Sequence, residues 1–234
     1  MEHRLSTLPG KELPGYRNTD HQPRHPAIRV AALIISYIFH PLFVPVYIMA
    51  FLLGYQPILF SGYDPGAKVL LLVRFILLYT FFPLVTVLLA KGLGFLQSIY
   101  LKTQKDRIIP YIACGIYYFW MCYVVRNQPE NPRETVLLTM AIFIASSAGL
   151  MANIYMKVSM HAMSMGVLVM FMAVLGVSQA TNYTLYASVA VFIAGLVCTA
   201  RLIISDHSNK EVYTGLFIGA ASYLAAIWAD GILP

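Results

Sequence analysis

Thr184 to Glu211 reads TLYASVAVFIAGLVCTARLIISDHSNKE, and this stretch decides what kind of molecule the chain builds. As far as Ile204 its only charge is Arg201, and a helix of that length at ~1.5 Å per residue crosses the ~30 Å hydrocarbon core of a bilayer. The chain then turns abruptly polar. Serine, aspartate, histidine, serine, asparagine, lysine and glutamate occupy 205–211, and a further apolar run begins at Tyr213. An arginine, a histidine and a carboxylate crowded at the mouth of a hydrophobic segment cost free energy unless they are paired or act on something.

The same pattern of long apolar runs and short polar links recurs along the chain. Of 234 residues, 59% are hydrophobic and 11% charged. A soluble core of this size does not need so apolar a chain, whereas a bundle of membrane helices does. The expectation is an all-α polytopic bundle of six to seven spans, with a polar tail over 1–29 and one transmembrane domain over 30–234. Spans are predicted at Val30–Gly54, Val69–Ala90, Ile108–Val125, Thr135–Met156, one ending near Val177, one ending at Ile204, and Tyr213–Trp228. Within the first, Pro41 and Pro45 should kink or break the helix. His40 beside them is either a satisfied core residue or part of a polar site. Lys91 to Arg107 is mixed and basic, suited to lying on the interface, and Asp106 reads as a solvated counter-charge.

The tail is rich in proline and glycine, and its histidines fit no metal-site spacing. It has no signal-peptide form. Cys114, Cys122 and Cys198 fall inside apolar runs and read as small core side chains, not disulfides or metal ligands. The methionines between Met156 and Met172 read as adaptable packing. A net charge of +6 is scattered over the links without a basic, aromatic-interleaved stripe, so a lipid or phosphate partner is expected and nucleic acid is not.

Arg201, His207 and Glu211 form R-x5-H-x3-E, which resembles the third signature, S-R-x5-H-x3-D, of the type-2 phosphatidic-acid phosphatase superfamily, the lipid phosphatases and haloperoxidases. Upstream, Val158-Ser159-Met160-His161 is similar to its second signature, P-S-G-H. Further upstream, Lys102 to Pro110, which holds Lys105 and Arg107, is similar to its first, K-x6-R-P. Ala200 stands in place of the family's serine, Glu211 in place of aspartate, and Val158 and Met160 in place of proline and glycine. Tyr100 occupies the position seven before Arg107.

The order of the blocks agrees with topology. Two predicted spans separate Arg107 from Ser159, and two more separate His161 from Arg201. An even number of crossings brings the chain back to the same face, so all three blocks are expected at one end of the bundle.

The resemblance implies a phosphatase without metal or cofactor. It makes His207 the nucleophile that forms a phosphohistidine, Glu211 the acid that orients it, and His161 the donor to the leaving oxygen. It makes Arg107 and Arg201 clamps on the phosphate oxygens, with Ser159 and the Met160 N–H as further donors. The family's lysine has three candidates: Lys102 and Lys105 by neighbourhood, and Lys157 by its tether to the second block. The implied substrate is a lipid phosphate monoester or diphosphate. Two other functions fit the same residues: phosphotransfer to an alcohol, and a non-catalytic transporter or scaffold with buried charges. For sidedness, positive-inside counting favours the cytoplasm. The family's bacterial enzymes mostly open outward, and a re-entrant first segment would shift the parity by one. The expectation adopted from the sequence is a bacterial inner membrane with the site facing outward.

Overall fold

The computed structural model describes residues 25–96, 101, 103–178, 182–204 and 207–232, and these contain helices and turns but no strand. The chain order is α1 (Pro26–Ile38), α2 (Val44–Tyr55), α3 (Pro65–Phe75), α4 (Phe82–Gly92), α5 (Gln104–Arg126), α6 (Arg133–Ala152), α7 (Met160–Ser178), α8 (Thr184–Ile204) and α9 (Asn209–Asp230). A π-helical turn over Ile76–Phe81 joins α3 and α4 into one rod of 28 residues. Among the described residues, that rod and α5 to α9 are the six helices long and apolar enough to cross a membrane. The protein is therefore an integral membrane protein built as an all-α polytopic bundle.

The first expected span is divided. Val30–Gly54 falls across α1 and α2, with Pro41 in the break and Pro45 in the first turn of α2, where a missing N–H breaks no helical bond. Helix α1 begins at Pro26 and so takes in the last residues assigned to the tail. The two short helices still make one crossing. Ala32 of α1 packs on Ala200 and Ile204, at the C-terminal end of α8. At the far end of α2, Phe51 and Tyr55 meet Tyr186, at the opposite end of α8, with ring centroids 5.0 and 5.9 Å away.

Side-chain bonds between links confirm the alternation of the remaining helices. At one end, Gln104 and Asn153 each donate a side-chain N–H to the other's backbone carbonyl, at 2.8 and 2.9 Å. The Ser159 N–H donates to the Glu211 carbonyl at 3.2 Å. At the other end, Tyr63 donates to Asn131 at 2.7 Å and Arg74 to Gln128 at 3.0 Å. Asp230 there accepts from Arg133 at 2.8 Å. The three sequence blocks accordingly lie at one end of the bundle, as parity requires.

Glycine fixes the pairing that matters most to that end. A Cβ on Gly166 of α7 would run into the Leu216 carbonyl, and one on Gly219 of α9 into the Met163 carbonyl. The two backbones thus approach as only small residues allow. Helices α7 and α9 both start at the same end, so this contact sets their first turns side by side.

Two polar expectations change. Helix α5 starts at Gln104, which puts Lys105, Asp106 and Arg107 in the first turn of a span instead of on an interface-lying segment. Asp106 is not a solvated counter-charge. It is 7% exposed and accepts from the Thr103 hydroxyl at 2.8 Å, while its own N–H donates to that oxygen at 3.1 Å. The pair caps α5.

Candidate active site

His207 lies between α8 and α9, and its geometry follows from how α9 begins. Ser208 caps the helix: its hydroxyl accepts from the Glu211 N–H at 3.3 Å, and Glu211 Oε2 accepts from the Ser208 N–H at 3.0 Å. This capping box satisfies two of the N–H groups that a helix start leaves over. It also holds the Glu211 carboxylate over His207, whose Nδ1 lies 3.1 Å from Oε2. The same nitrogen lies 3.1 Å from the Lys157 carbonyl oxygen. Both neighbours of Nδ1 are acceptors, so Nδ1 carries the proton and Nε2 the lone pair.

The imidazole is enclosed, with its side chain 2% exposed. Burial first, and then the charges of Arg107, Arg201 and Lys157, push its pKa down to about 3. The ring is neutral at physiological pH with cations around it.

Arg107 reaches this place from the first turn of α5. It is 5% exposed; its Nε donates to the Leu101 carbonyl at 3.0 Å and its Nη1 to the Val158 carbonyl at 2.7 Å. Two bonds to fixed backbone acceptors lock the plane of the guanidinium. Leu101 supplies its carbonyl from a left-handed conformation, φ 48°, which costs a β-carbon-bearing residue about 1–2 kcal/mol.

Ser159 is fully buried and starts α7, its hydroxyl accepting from the Ala162 N–H at 3.4 Å. Met160 is the first residue of that helix, where N–H groups have no intrahelical acceptor. His161 follows. Its Nε2 lies 3.1 Å from the Ser36 carbonyl oxygen of α1, so Nε2 is protonated and Nδ1 is the acceptor nitrogen. Arg201, His40 and His207 are its charged and titratable neighbours.

The structure thus gathers His161, Arg201, His207, Arg107, Lys157, Ser159, Met160 and Glu211 at one end of the bundle. The starts of α5, α7 and α9 meet there, each directing the positive end of its dipole toward the group. Lys157 contributes its backbone carbonyl and its charge. Lys105 is exposed on the outer side of α5, and Lys102 lies outside the described residues.

His40 joins the cluster from the break between α1 and α2. Its ring meets His161 edge to face at 5.1 Å, and its Nδ1 accepts from the Leu42 N–H at 3.3 Å, which leaves Nε2–H as donor. No spacing rule pointed to it, because nothing in sequence ties residue 40 to 161. The one available signal was a histidine directly before a proline inside an otherwise apolar run. The Ser36 and Lys157 carbonyls, which set the two histidine tautomers, had no signal at all.

Compared with known proteins, the chain matches no family model, no curated protein and no solved structure.

Proposed function

We propose that this protein is a membrane-embedded phosphatase that hydrolyses a lipid phosphate monoester or diphosphate through a phosphohistidine at His207. The observation that carries the reading is the state of that imidazole: Nδ1–H held by two acceptors, with Nε2 left as a lone-pair nitrogen beside Arg107 and Arg201. In the first step Nε2 attacks phosphorus and the bond to the leaving oxygen breaks. His161, neutral with its lone pair at Nδ1, takes the proton of the phosphate monoanion there and passes it to that oxygen, while the Ser36 carbonyl holds Nε2–H. In the second step His161, neutral again, takes a proton from water, the water oxygen bonds phosphorus, and the P–N bond breaks. Phosphate leaves with the proton held by His161, and both histidines are restored. Arg107, Arg201 and Lys157 stabilise charge on the transferring group, and Ser159 and the Met160 N–H complete the cradle.

A structural reading has one observation in its favour. Arg107 and His207 both bond backbone carbonyls of other segments, as residues do when they tie loops together. One experiment separates the two readings. Purified protein is given a lipid phosphate, with and without EDTA and vanadate. An enzyme releases phosphate, survives EDTA, is blocked by vanadate and loses turnover in His207→Ala. A tie releases none and unfolds more easily when either residue is changed. Adding an acceptor alcohol distinguishes hydrolysis from phosphotransfer.

We place the site on the cytoplasmic face, against the outward orientation expected from the resemblance. Helix α2 ends beside Tyr186, at the far end of the bundle, which removes the re-entrant ground for shifting parity. The site's end carries Lys91, Lys105, Arg107, Lys157, Arg201 and Lys210, while the other carries Lys68, Arg74, Arg126 and Arg133. Positive-inside favours the former for the cytoplasm. A cysteine at Asn209 that reacts with an impermeant reagent in intact cells would overturn this.

A further inference from the structure

A cleft of about 440 Å³ runs along the bilayer side of the bundle between α8 and α9, floored by α7. It exists because of the glycine contact described above. Gly166 and Gly219 draw α9 hard against α7, while α8 leans on α7 and α1, so α8 and α9 meet little along their length. The resulting walls include Ala194, Cys198 and Leu202 on one side and Val212 and Leu216 on the other, with Met170 beneath.

Its position distinguishes this cleft from an ordinary lipid-facing furrow. On α8 it extends from Val191 to Leu202, about 16 Å at ~1.5 Å per residue. That is close to half of the ~30 Å hydrocarbon core, the depth of one leaflet. Its upper end adjoins the site on both walls: Leu202 follows Arg201, and Val212 follows Glu211. The cleft is apolar along its length, and its upper end lies one residue from Arg201 on α8 and one from Glu211 on α9, so an apolar shaft from mid-bilayer ends beside the cations of the site. Phosphate on a single hydrocarbon chain has the same two parts in the same order, and the volume lies within the ~300–1,000 Å³ usual for ligand sites.

Resting on the phosphatase reading, we propose that the α8–α9 cleft is the substrate-chain site, holding one hydrocarbon chain of the lipid whose phosphate lies at His207. A second groove, between α5 and α6 from Tyr111 to Leu150, is smaller at about 310 Å³ and more open to the bilayer. Its lining begins at Tyr111, one helical turn after Arg107 on α5, and it serves as the internal comparison.

The experiment uses the whole protein in nanodiscs and a phosphatidic acid with a photoactivatable diazirine midway along one chain. A diacylglycerol bearing the same group is the control for bulk lipid. The expected result is labelling of peptides containing Val191–Leu202 or Val212–Ala220 by the phosphatidic acid probe, competed by unlabelled phosphatidic acid and weaker by at least tenfold with diacylglycerol. At Gly195 an added side chain meets open space, and Gly195→Phe should abolish this labelling. It should also lower kcat/KM for a long-chain lipid phosphate at least tenfold relative to a short-chain, water-soluble one. Gly115→Phe, on the α5–α6 groove, should change neither. Labelling at the α5–α6 groove, equal labelling by both probes, or unchanged chain preference in folded Gly195→Phe overturns the cleft while leaving phosphatase activity standing. Specific labelling without any phosphate release does the reverse: the cleft is a lipid-phosphate site and the hydrolytic reading fails.

Discussion

In the proposed mechanism a single nitrogen carries most of the chemistry. His207 Nδ1 is claimed by Glu211 and by the Lys157 carbonyl, and this fixes what Nε2 can do. His207→Ala should therefore abolish phosphate release while lipid phosphate still binds through Arg107 and Arg201, which equilibrium binding would show. His161→Ala should slow turnover by the ~10²–10⁴-fold typical of a lost general acid, with the loss shrinking for a substrate whose leaving group needs no proton. Glu211→Gln should fall between the two and act on kcat more than KM, because the Lys157 carbonyl still holds Nδ1–H. Protonation makes a separate prediction. Folded His207 resists protonation down to about pH 3, whereas a free imidazole titrates near ~6.5. Between these values the unfolded chain binds more protons, so stability should rise with pH across that window. The thermal midpoint in detergent should climb from pH 4 to 6.5 in the wild type and less steeply in His207→Asn. At this scale the sequence was legible where spacing does the positioning: R-x5-H-x3-E puts histidine and glutamate one helical turn apart. It was silent where a backbone atom or a distant chain break does so, as with Ser36, Lys157 and His40. Asp106 misled for a related reason, since a charged residue beside another charge looks solvated until Thr103 is seen to cap with it.

Among the elements, α7 and α9 are the pair on which the site depends. An added methyl at Gly219 meets the Met163 backbone, which cannot move aside as a side-chain tip can. Gly219→Ala should therefore cost about 1–3 kcal/mol, the usual price of overpacking, and should lower activity by separating Ser159 from Glu211. Gly115→Ala, with nothing within 4 Å of its new methyl, should leave the thermal midpoint unchanged or raise it, because alanine is the better helix former. A rise in both variants would mean that helix propensity outweighs close approach at Gly219. Long apolar runs announced each span, and their ends fell within a few residues of expectation because hydropathy changes sharply at the polar links. The π-helical turn over Ile76–Phe81 was not announced, because one extra residue in an apolar run changes neither composition nor length. The division of Val30–Gly54 was foreseen from its prolines. What could not be read was that α1 then packs across the end of α8 and lends a carbonyl to His161.

For the whole molecule, the firmest topological statement does not depend on which way it sits in the membrane. Ala32 packs at the site's end of α8, so His25, directly before α1, and Ser208, at the start of α9, share a face, opposite Ser61 and Gln128. Cysteines introduced at Ser208 and at His25 should react together with an impermeant reagent, and those at Ser61 and Gln128 should react in the complementary preparation of inverted vesicles. Labelling that splits the first pair would break the parity on which the shared site rests. That parity was legible from counting spans; the sign of the orientation was not, because the cation count and the resemblance pointed to opposite faces. The order of the blocks has one more consequence, for biogenesis. Arg107 is synthesised early, His161 later, and the capping box that seats His207 closes only when α9 has followed α8. On the phosphatase reading, a ribosome-bound chain halted before Asn209 would present the proposed clamp and proton donor without a seated nucleophile. Such a nascent protein would be chemically silent toward surrounding lipid until its last helix is inserted.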